Sequence, residues 1–335
     1  MNKTRAAITA VAKYLPERVL SNTDLEKMVE TNDEWIVSRT GIRERRLVAE
    51  GQATSDMAIA AINQLFNDTG VTADEIDIII VATVTPDYMF PATAALIQKE
   101  IGANRAWGFD LSAACSGFLF ALQTGASFIE SRTAKKVLVV GADTMSAITD
   151  YTDRNTCILF GDAAGVVLLE PTEDENYGLI DQMLYVDGSG ADALYQAAGG
   201  SRLPASAETV AKRQHFIYQD GRTVFKKAAE GMASASTAIL NRNNISGDDI
   251  AIFVPHQANK RIIDVAAQRM GLSPDKVLLN IDKYGNTTAA TIPVGLKEAV
   301  EDGRLKDGDY AVLAAFGAGY TWGSILLKWG PTRSK

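Results

Sequence analysis

A repeat of long period constrains the fold of this chain more than any other feature of its sequence. Strand-like runs in the first half recur in the second: 75–81 as 248–254, 136–141 as 310–315, and 165–170 as 323–329. The first two pairs share an offset of about 170–175 residues, and the third offset is shorter because the intervening loops differ. A period of this length indicates a duplicated domain rather than a solenoid. We therefore expect two halves, 1–174 and 175–335, whose helices pack together around a shared centre.

The order of the predicted elements is typical of an α/β protein. Short apolar runs, which predict strands, alternate with longer stretches that predict helices. The clearest strands are predicted at 76–82, 136–141 and 165–170, and the clearest helices at 57–68, 91–101 and 115–131. The stretch 118–122 is apolar on every side, so we expect its helix to be buried between two layers.

Charge and composition exclude several classes of function. The net charge of −8 argues against a general nucleic-acid-binding protein, whose surface would be basic. No apolar run approaches the length of a membrane span, and residues 1–17 do not read as a signal peptide. The two cysteines, Cys115 and Cys157, form neither a disulfide framework nor a CxxC metal pair. We expect a protein of the reducing cytoplasm without a metal, nucleic-acid or membrane partner.

Cys115 lies between a predicted strand and a predicted helix. In the segment 108–118 a short apolar strand runs into the long apolar helix. A thiol at such a turn faces the positive end of the helix dipole, which favours the thiolate. A cysteine with apolar neighbours is also often a small core residue, so this context alone leaves both interpretations open.

Two further polar residues follow predicted strands. His256 lies directly after one strand and precedes a helix predicted at 257–270. Asn286 follows a strand predicted at 277–281, and in the alignment of the repeat it falls close to Cys115. The ends of strands are where α/β folds gather their sites. A structural histidine and an asparagine in a turn are the plainer interpretations of each residue, but their joint occurrence favours a site.

A glycine-rich loop at 315–323 joins two predicted strands. Glycines there let the backbone approach a ligand and point N–H groups at an oxyanion. The loop lacks the spacing of a dinucleotide-binding motif and leads into a strand, so we exclude a dinucleotide site. On its own, it also reads as an ordinary hairpin.

Several segments along essentially the whole chain resemble the motifs of one family. They lie, in order, at 32–36, 39–46, 110–117, 152–154, 160–162, 254–259, 285–287 and 316–323. They are similar to β-ketoacyl-acyl carrier protein synthase III, the condensing enzyme that starts type II fatty acid synthesis, in the thiolase-like superfamily. The resemblance implies a homodimer with a thiolase-like α/β fold, in which two duplicated βαβαβαββ halves form a five-layered αβαβα sandwich.

The resemblance implies a reaction in two stages. Cys115 would take the acyl group from an acyl-CoA thioester, with the backbone N–H groups of Cys115 and Gly319 holding the oxyanion. Malonyl-acyl carrier protein would then lose CO2, and His256 and Asn286 would stabilise the enolate as uncharged donors. Elongating enzymes of similar architecture use a second histidine. The only other histidine, His215, lies in a polar stretch away from these motifs, so the Cys-His-Asn set fits the initiating synthase.

The resemblance also implies binding residues. CoA, a substrate rather than a cofactor, is expected to contact Trp35, Arg39, Thr40, Arg154 and Asn259, with its adenine between Trp35 and Arg154. An acidic acyl carrier protein is expected to dock on Lys260, Arg261 and Arg269. The acyl pocket is expected to include Phe90, Met145 and Phe160, with Phe90 crossing the dimer interface.

Some of these residues have plainer interpretations. Trp35 also reads as the anchor of a surface helix, and Phe90 as an ordinary core aromatic. Lys260 and Arg269 also read as part of a solvated charged face. The contact of Arg222 with CoA stays open, and we assign Cys157 to packing.

Two other functions remain alternatives to the initiating synthase. One is a condensing or acyl-transferring homologue of secondary metabolism that uses another acyl acceptor. The other is a non-catalytic acyl-CoA-binding protein, against which the presence of all three candidate catalytic residues argues. The sequence does not fix the primer, because one methylene in an apolar pocket is worth only about 1–3 kcal/mol.

Overall fold

The computed structural model describes residues 4–333 and contains alternating strands and helices. The strands are β1 Arg5–Tyr14, β2 Arg18–Ser21, β3 Glu44–Leu47, β4 Ile78–Ala82, β5 Trp107–Leu111, β6 Val137–Asp143, β7 Ala163–Thr172, β8 Gly178–Val186, β9 Leu194–Gln196, β10 Ile217–Gln219, β11 Ile250–Pro255, β12 Tyr310–Gly317 and β13 Thr321–Lys328. The helices are α1 Asn22–Leu25, α2 Asp33–Thr40, α3 Thr54–Thr69, α4 Thr93–Glu100, α5 Gly117–Glu130, α6 Ala207–Ala211, α7 Gly221–Arg242, α8 Lys260–Arg269, α9 Ile281–Tyr284 and α10 Thr291–Glu301. None of the helices within the described range is both long and apolar enough to cross a membrane.

The four strands of the second large sheet have the same order as four of the five strands of the first. The first sheet runs β1-β7-β6-β4-β5, with β4 parallel to β5 and β6 and with β7 antiparallel to its neighbours. The second runs β8-β13-β12-β11, with β11 parallel to β12 and with β13 antiparallel to its neighbours. This equivalence agrees with the repeat seen in the sequence. The boundary between halves at 174 and 175 stays a prediction.

Helices form three layers around these sheets. α3 and α4 pack on the outer face of the first sheet, and α7 packs with α8 on the outer face of the second. α5 and α10 lie between the sheets and contact both. One apolar cluster joins them: it includes Phe118 and Leu119 of α5, Ile292 of α10, Val139 of the first sheet and Leu313 of the second. The layer order is therefore αβαβα, and the apolar helix is buried in the middle as its sequence predicts.

The prediction of a strand at 277–281 is wrong. This segment makes a single bridge, between Val277 and Phe253. The buried side chain of Gln257 takes the place of further strand pairing: its amide donates to the carbonyls of Pro255 and Leu278, and its oxygen accepts from the N–H groups that begin α9. These side-chain bonds satisfy backbone groups that a ladder would otherwise satisfy.

The helix predicted at 115–131 begins later than expected. Cys115 itself lies in a short 3₁₀ turn, Ala114–Ser116, and α5 starts at Gly117. The turn begins with Ala114 in the left-handed region, at φ 47°. The chain therefore bends sharply between β5 and α5, and this bend sets the direction in which the Cys115 side chain points.

Candidate active site

The three candidate catalytic residues line one cavity. Cys115, His256 and Asn286 contribute to the wall of a cavity of about 890 Å³. Each lies just beyond the end of an element: Cys115 after β5, His256 after β11 and Asn286 after α9. The fold thus brings together residues that are far apart in sequence. Cys115 and His256 follow strands, as predicted, whereas Asn286 follows a helix.

Hydrogen bonds attach the Cys115 turn to the second sheet. The Ser116 hydroxyl lies 2.6 Å from Thr321 Oγ1 and 2.9 Å from the Ala113 carbonyl, and Thr321 Oγ1 also lies 2.9 Å from that carbonyl. Thr321 is the first residue of β13. The position of the thiol therefore depends on how the two sheets pack against each other.

Gly317 brings the second sheet against the backbone of Cys115. A Cβ built on Gly317 would lie 2.7 Å from the Cys115 nitrogen and 3.0 Å from the Ser116 nitrogen, so a side chain does not fit there. Gly317 and Ala318 line the cavity, whereas Gly319, the residue expected in the oxyanion hole, is not among the lining residues. The sequence placed this glycine-rich loop among the candidate site segments but singled out Gly319 rather than Gly317.

Burial shifts the ionisation of Cys115 in the direction opposite to that expected from the helix dipole. Burial, with a smaller contribution from the carboxylate of Asp143, raises the pKa of Cys115 to about 12. The preference for the thiolate that the sequence predicts is therefore opposed by burial of the thiol. The imidazole of His256, whose pKa burial lowers to about 3, carries no charge that could stabilise a thiolate.

His256 presents one ring nitrogen to the cavity without a protein partner. Its backbone N–H donates to the Ala314 carbonyl at 2.7 Å, and Nδ1 lies 3.2 Å from Thr291 Oγ1. Nε2 is buried and has no hydrogen-bond partner within residues 4–333. A buried polar atom of this kind is costly unless a ligand satisfies it.

The backbone of Asn286 is fixed on both sides. It donates to the Leu159 carbonyl at 2.9 Å and accepts from the Gly161 N–H at 3.1 Å. Its side-chain oxygen accepts from the backbone N–H of Thr288 at 2.9 Å. The interaction of the Asn286 side chain with Cys115 opposes part of the rise of the thiol pKa. Because the oxygen is occupied, the amide nitrogen is the group left to donate into the site.

The structural equivalent of Cys115 is Ala289, not Asn286. The turn Thr288–Ala290 begins with Thr288 at φ 49° and leads into α10, as the Cys115 turn begins with Ala114 at φ 47° and leads into α5. Asn286 lies just before its turn. The alignment of the repeat placed it close to Cys115 because both segments run into apolar helices.

Four of the five expected CoA-binding residues line the cavity, and Arg154 does not. Trp35, Arg39, Thr40 and Asn259 line it. The guanidinium groups of Arg39 and Arg154 each lie 4.8 Å from the centre of the Trp35 ring. Arg154 therefore contacts the ring directly, and an adenine would enter between them only if Arg154 moves.

Two of these residues also have structural roles. The Thr40 hydroxyl donates to the Ile36 carbonyl at 2.7 Å and accepts from the Ile42 N–H at 3.0 Å, which satisfies the end of α2. Asn259 caps α8 through the Arg261 N–H at 3.0 Å and donates to the Arg39 carbonyl at 2.9 Å. Sequence reasoning missed both roles.

The basic residues of α8 differ in position. Arg261 lines the cavity, and its guanidinium lies 4.9 Å from the centre of the Phe225 ring. Lys260 is paired with Asp264 at 2.8 Å, and Arg269 is an exposed residue at the far end of α8. Arg222, left open in the sequence, also lines the cavity.

Residues expected in the acyl pocket fall into two groups. Met145 and Phe160 are buried in the cavity wall. Phe90 is 86% exposed and does not line this cavity, so its interpretation as a core aromatic is wrong. It lies beside exposed Tyr88 and Met89. Cys157 is buried in a separate apolar cluster, as expected for packing.

Comparison with known proteins matches both parts of this site. The family model of 3-oxoacyl-[acyl-carrier-protein] synthase III matches residues 109–188, and the model of its C-terminal part matches residues 240–329. A β-ketoacyl-[acyl-carrier-protein] synthase III from Chlorobium chlorochromatii is 57% identical over 97% of this chain and 99% of its own length.

Solved structures are also similar. β-Ketoacyl-[acyl carrier protein] synthase III from Thermus thermophilus is 44% identical, with a TM-score of 0.90, over 97% of this chain and 99% of that one. The priming β-ketosynthase of the R1128 polyketide biosynthetic pathway is 33% identical, with a TM-score of 0.89, over 97% of each chain. By sequence and by structure, this chain belongs to the β-ketoacyl-acyl carrier protein synthase III family of condensing acyltransferases of fatty acid synthesis, and it has their thiolase-like fold.

Proposed function

We propose that this protein condenses an acyl-CoA primer with malonyl-acyl carrier protein and releases β-ketoacyl-acyl carrier protein, CoA and CO2. The observation that carries the proposal is the pair of uncharged nitrogens, His256 Nε2 and Asn286 Nδ2, in the cavity that also holds the Cys115 thiol. A nucleophile and two neutral donors are what a thioester condensation without hydrolysis requires.

In the first stage, Cys115 attacks the thioester carbon of acyl-CoA. A bond forms between its sulfur and the acyl carbon, the bond to the CoA sulfur breaks, and the thiol proton leaves with CoA. Because the pKa of Cys115 is about 12 in the free protein, this proton is transferred during the reaction rather than lost beforehand. The N–H of Cys115 and, as the resemblance implies, that of Gly319 stabilise the oxyanion.

In the second stage, malonyl-acyl carrier protein loses CO2. The electrons of the broken carbon–carbon bond form an enolate, whose oxygen accepts bonds from His256 Nε2–H and Asn286 Nδ2–H. For Nε2 to carry the proton, Nδ1 must accept from Thr291, which lies within reach at 3.2 Å. The enolate carbon attacks the acyl group, and Cys115 leaves as a thiolate that takes a proton from solvent. The neutral histidine is a poor base toward water, which protects the acyl intermediate.

Substrate access is proposed along the residues at the opening. Trp35, Arg39, Thr40, Arg154 and Asn259 contact CoA. Lys260, Arg261 and Arg269 receive the acidic carrier protein, with Arg261 closest to the cavity.

A homodimer is proposed from one exposed apolar segment. Tyr88, Met89 and Phe90 are all exposed, and an apolar cluster of this kind marks an interface. Phe90 would enter the acyl pocket of the partner, where Met145 and Phe160 form the wall.

The similarity to the priming enzyme of a polyketide pathway keeps a second acyl acceptor as an alternative. One assay separates the possibilities. The purified protein is incubated with acetyl-CoA or a branched acyl-CoA, then with malonyl-acyl carrier protein, and both proteins are analysed by mass spectrometry. We expect an acyl adduct on Cys115 followed by a β-ketoacyl carrier protein. An adduct without condensation favours the alternative, and the absence of both sinks the proposal.

A further inference from the structure

One buried carboxylate beside the cavity has no role in the proposed reaction. Asp143, the last residue of β6, is fully buried and forms no ion pair within the described part of the chain. A buried carboxylate is costly unless several hydrogen bonds compensate for its lost hydration. Its neighbours therefore indicate what the structure gains by keeping it.

The two oxygens of Asp143 bind different parts of the molecule. Oδ1 accepts from the Val84 N–H at 2.7 Å and from the hydroxyls of Thr83 and Thr85 at 3.0 Å each, all just beyond β4 in the first sheet. Oδ2 accepts from the Thr288 hydroxyl and from the Ala289 N–H at 3.1 Å. Asp143 thus joins the first sheet to the turn that follows Asn286.

The bond to Thr288 acts on a strained residue. Thr288 has φ 49°, in a region that β-branched residues rarely adopt. Such a conformation persists only where the surroundings hold it. The hydroxyl bond to Asp143 and the neighbouring Ala289 bond provide that restraint.

Thr288 in turn orients Asn286. Its backbone N–H donates to Asn286 Oδ1 at 2.9 Å, which leaves the amide nitrogen to face the cavity. If the turn relaxed, this N–H would move and the amide would lose its fixed orientation. We propose that Asp143 is a positioning residue that, through Thr288, holds the amide donor of Asn286 toward the enolate; this rests on the proposed function.

The test compares two threonines that bind the same carboxylate. Thr288→Val removes one of the two donors on Oδ2, and Thr288→Ser restores a hydroxyl. Thr83→Val is the matched control, because it removes one of three donors on Oδ1 and leaves the Asn286 turn untouched. Asp143→Asn is a further variant: its amide group would place a donor against the Val84 or the Ala289 N–H. Melting temperatures report whether each variant folds.

We expect Thr288→Val to lower kcat for malonyl-acyl carrier protein decarboxylation and condensation roughly 10- to 100-fold. The KM for malonyl-acyl carrier protein and the rate of Cys115 acylation should change less than about 3-fold. Thr288→Ser should recover most of the loss, and Thr83→Val should stay near wild type. Equal losses in both stages, or the same loss in Thr83→Val, would overturn the proposal.

A second measurement does not depend on turnover. In protein labelled with ¹⁵N-asparagine, the Asn286 side-chain amide resonance, assigned with Asn286→Gln, should shift in Thr288→Val but not in Thr83→Val. No shift in Thr288→Val would contradict the positioning role even if the enzyme proved inactive on these substrates. Conversely, if the wild-type protein showed neither acylation nor condensation, the proposed function would be contradicted. The shift of the Asn286 amide resonance in Thr288→Val would still test the role of Asp143.

Discussion

The two turns that enter the cavity region have the same backbone but different neighbours. Both begin with a residue in the left-handed region, Ala114 or Thr288, and both lead into a central helix. At the first turn, β12 ends in Gly317, which lies against the Cys115 nitrogen without a side chain. At the second, β6 ends in Asp143, whose carboxylate accepts the Ala289 N–H.

This difference shows how one duplicated turn can serve two purposes. A glycine at the neighbouring strand end leaves the N–H groups of the first turn available for an oxyanion. A carboxylate at the corresponding strand end uses the N–H of the second turn and holds it in place. The chemistry of each turn therefore depends on the residue facing it as much as on its own sequence.

The largest effects should come from separating the two stages by mutation. We expect Cys115→Ala to lower acyl transfer by about 1000-fold or more while malonyl decarboxylation persists, because only the nucleophile is lost. His256→Ala or Asn286→Ala should retain acyl transfer and lower the rate of decarboxylation about 100-fold. Mass spectrometry of Cys115 and release of labelled CO2 measure the two stages. If all three variants lost both activities equally, the two turns would have no separate roles.

Gly317→Ala tests whether the first turn requires a residue without a side chain at position 317. The added Cβ would lie 2.7 Å from the Cys115 nitrogen, so the turn must shift. We expect a loss of about 100-fold in the acylation rate of Cys115, with decarboxylation less affected. Gly200→Ala is the matched control, since nothing lies within 4 Å of its Cβ. A normal acylation rate in Gly317→Ala would show that this close approach does not matter to the thiol.

The neutrality of His256, which the Thr291 hydroxyl contacts at the second turn, predicts a pH dependence of stability. Its pKa is about 3 in the folded protein and about 6.5 when unfolded. As the pH falls below 6.5, the unfolded chain binds a proton that the folded chain does not. The free energy of unfolding therefore decreases by up to about 1.4 kcal/mol per pH unit. Relative to His256→Gln, wild type should lose about 2 kcal/mol between pH 7.5 and pH 5 in urea unfolding. Parallel pH profiles for the two proteins would show that the imidazole is not held neutral.

Ser116→Ala should have the smallest effect. It removes a bond to Thr321, which ties the first turn to the second sheet, and a local bond to the Ala113 carbonyl. We expect a loss of about 1 kcal/mol in the free energy of unfolding and a reduction of a few-fold in acylation. Ser127→Ala, at an exposed site on the helix that follows the turn, serves for comparison. Equal effects of the two substitutions would mean that the first turn does not depend on this attachment.

Much of the fold was predictable, because apolar runs and their recurrence are local signals. The strands at 78–82 and 137–143 and the buried helix α5 followed from such runs. The absence of a strand at 277–281 could not be predicted, because the Gln257 side chain forms hydrogen bonds that a neighbouring strand would otherwise form. This replacement of backbone pairing by a side chain leaves no pattern in the sequence of residues 277–281.

The candidate site was predictable in its residue types but not in its electrostatics. Motif resemblance brought Cys115, His256 and Asn286 into one site, and the shared cavity is consistent with that. The thiol pKa could not be foreseen, since it depends on enclosure by elements distant in sequence. Asp143 carried no signal either: it is one acid at the end of an apolar strand, and its partners lie far along the chain.

The bonds of Asp143 also have a consequence for how the chain folds. Its Oδ1 partners precede it in the sequence and belong to the first sheet, whereas its Oδ2 partners come 145 and 146 residues later. On a ribosome, the first sheet is synthesised well before those later residues emerge, so until then only water can hydrogen-bond Oδ2. The last part of the chain therefore replaces this water with two hydrogen bonds, so the turn after Asn286 can be fixed only late in synthesis.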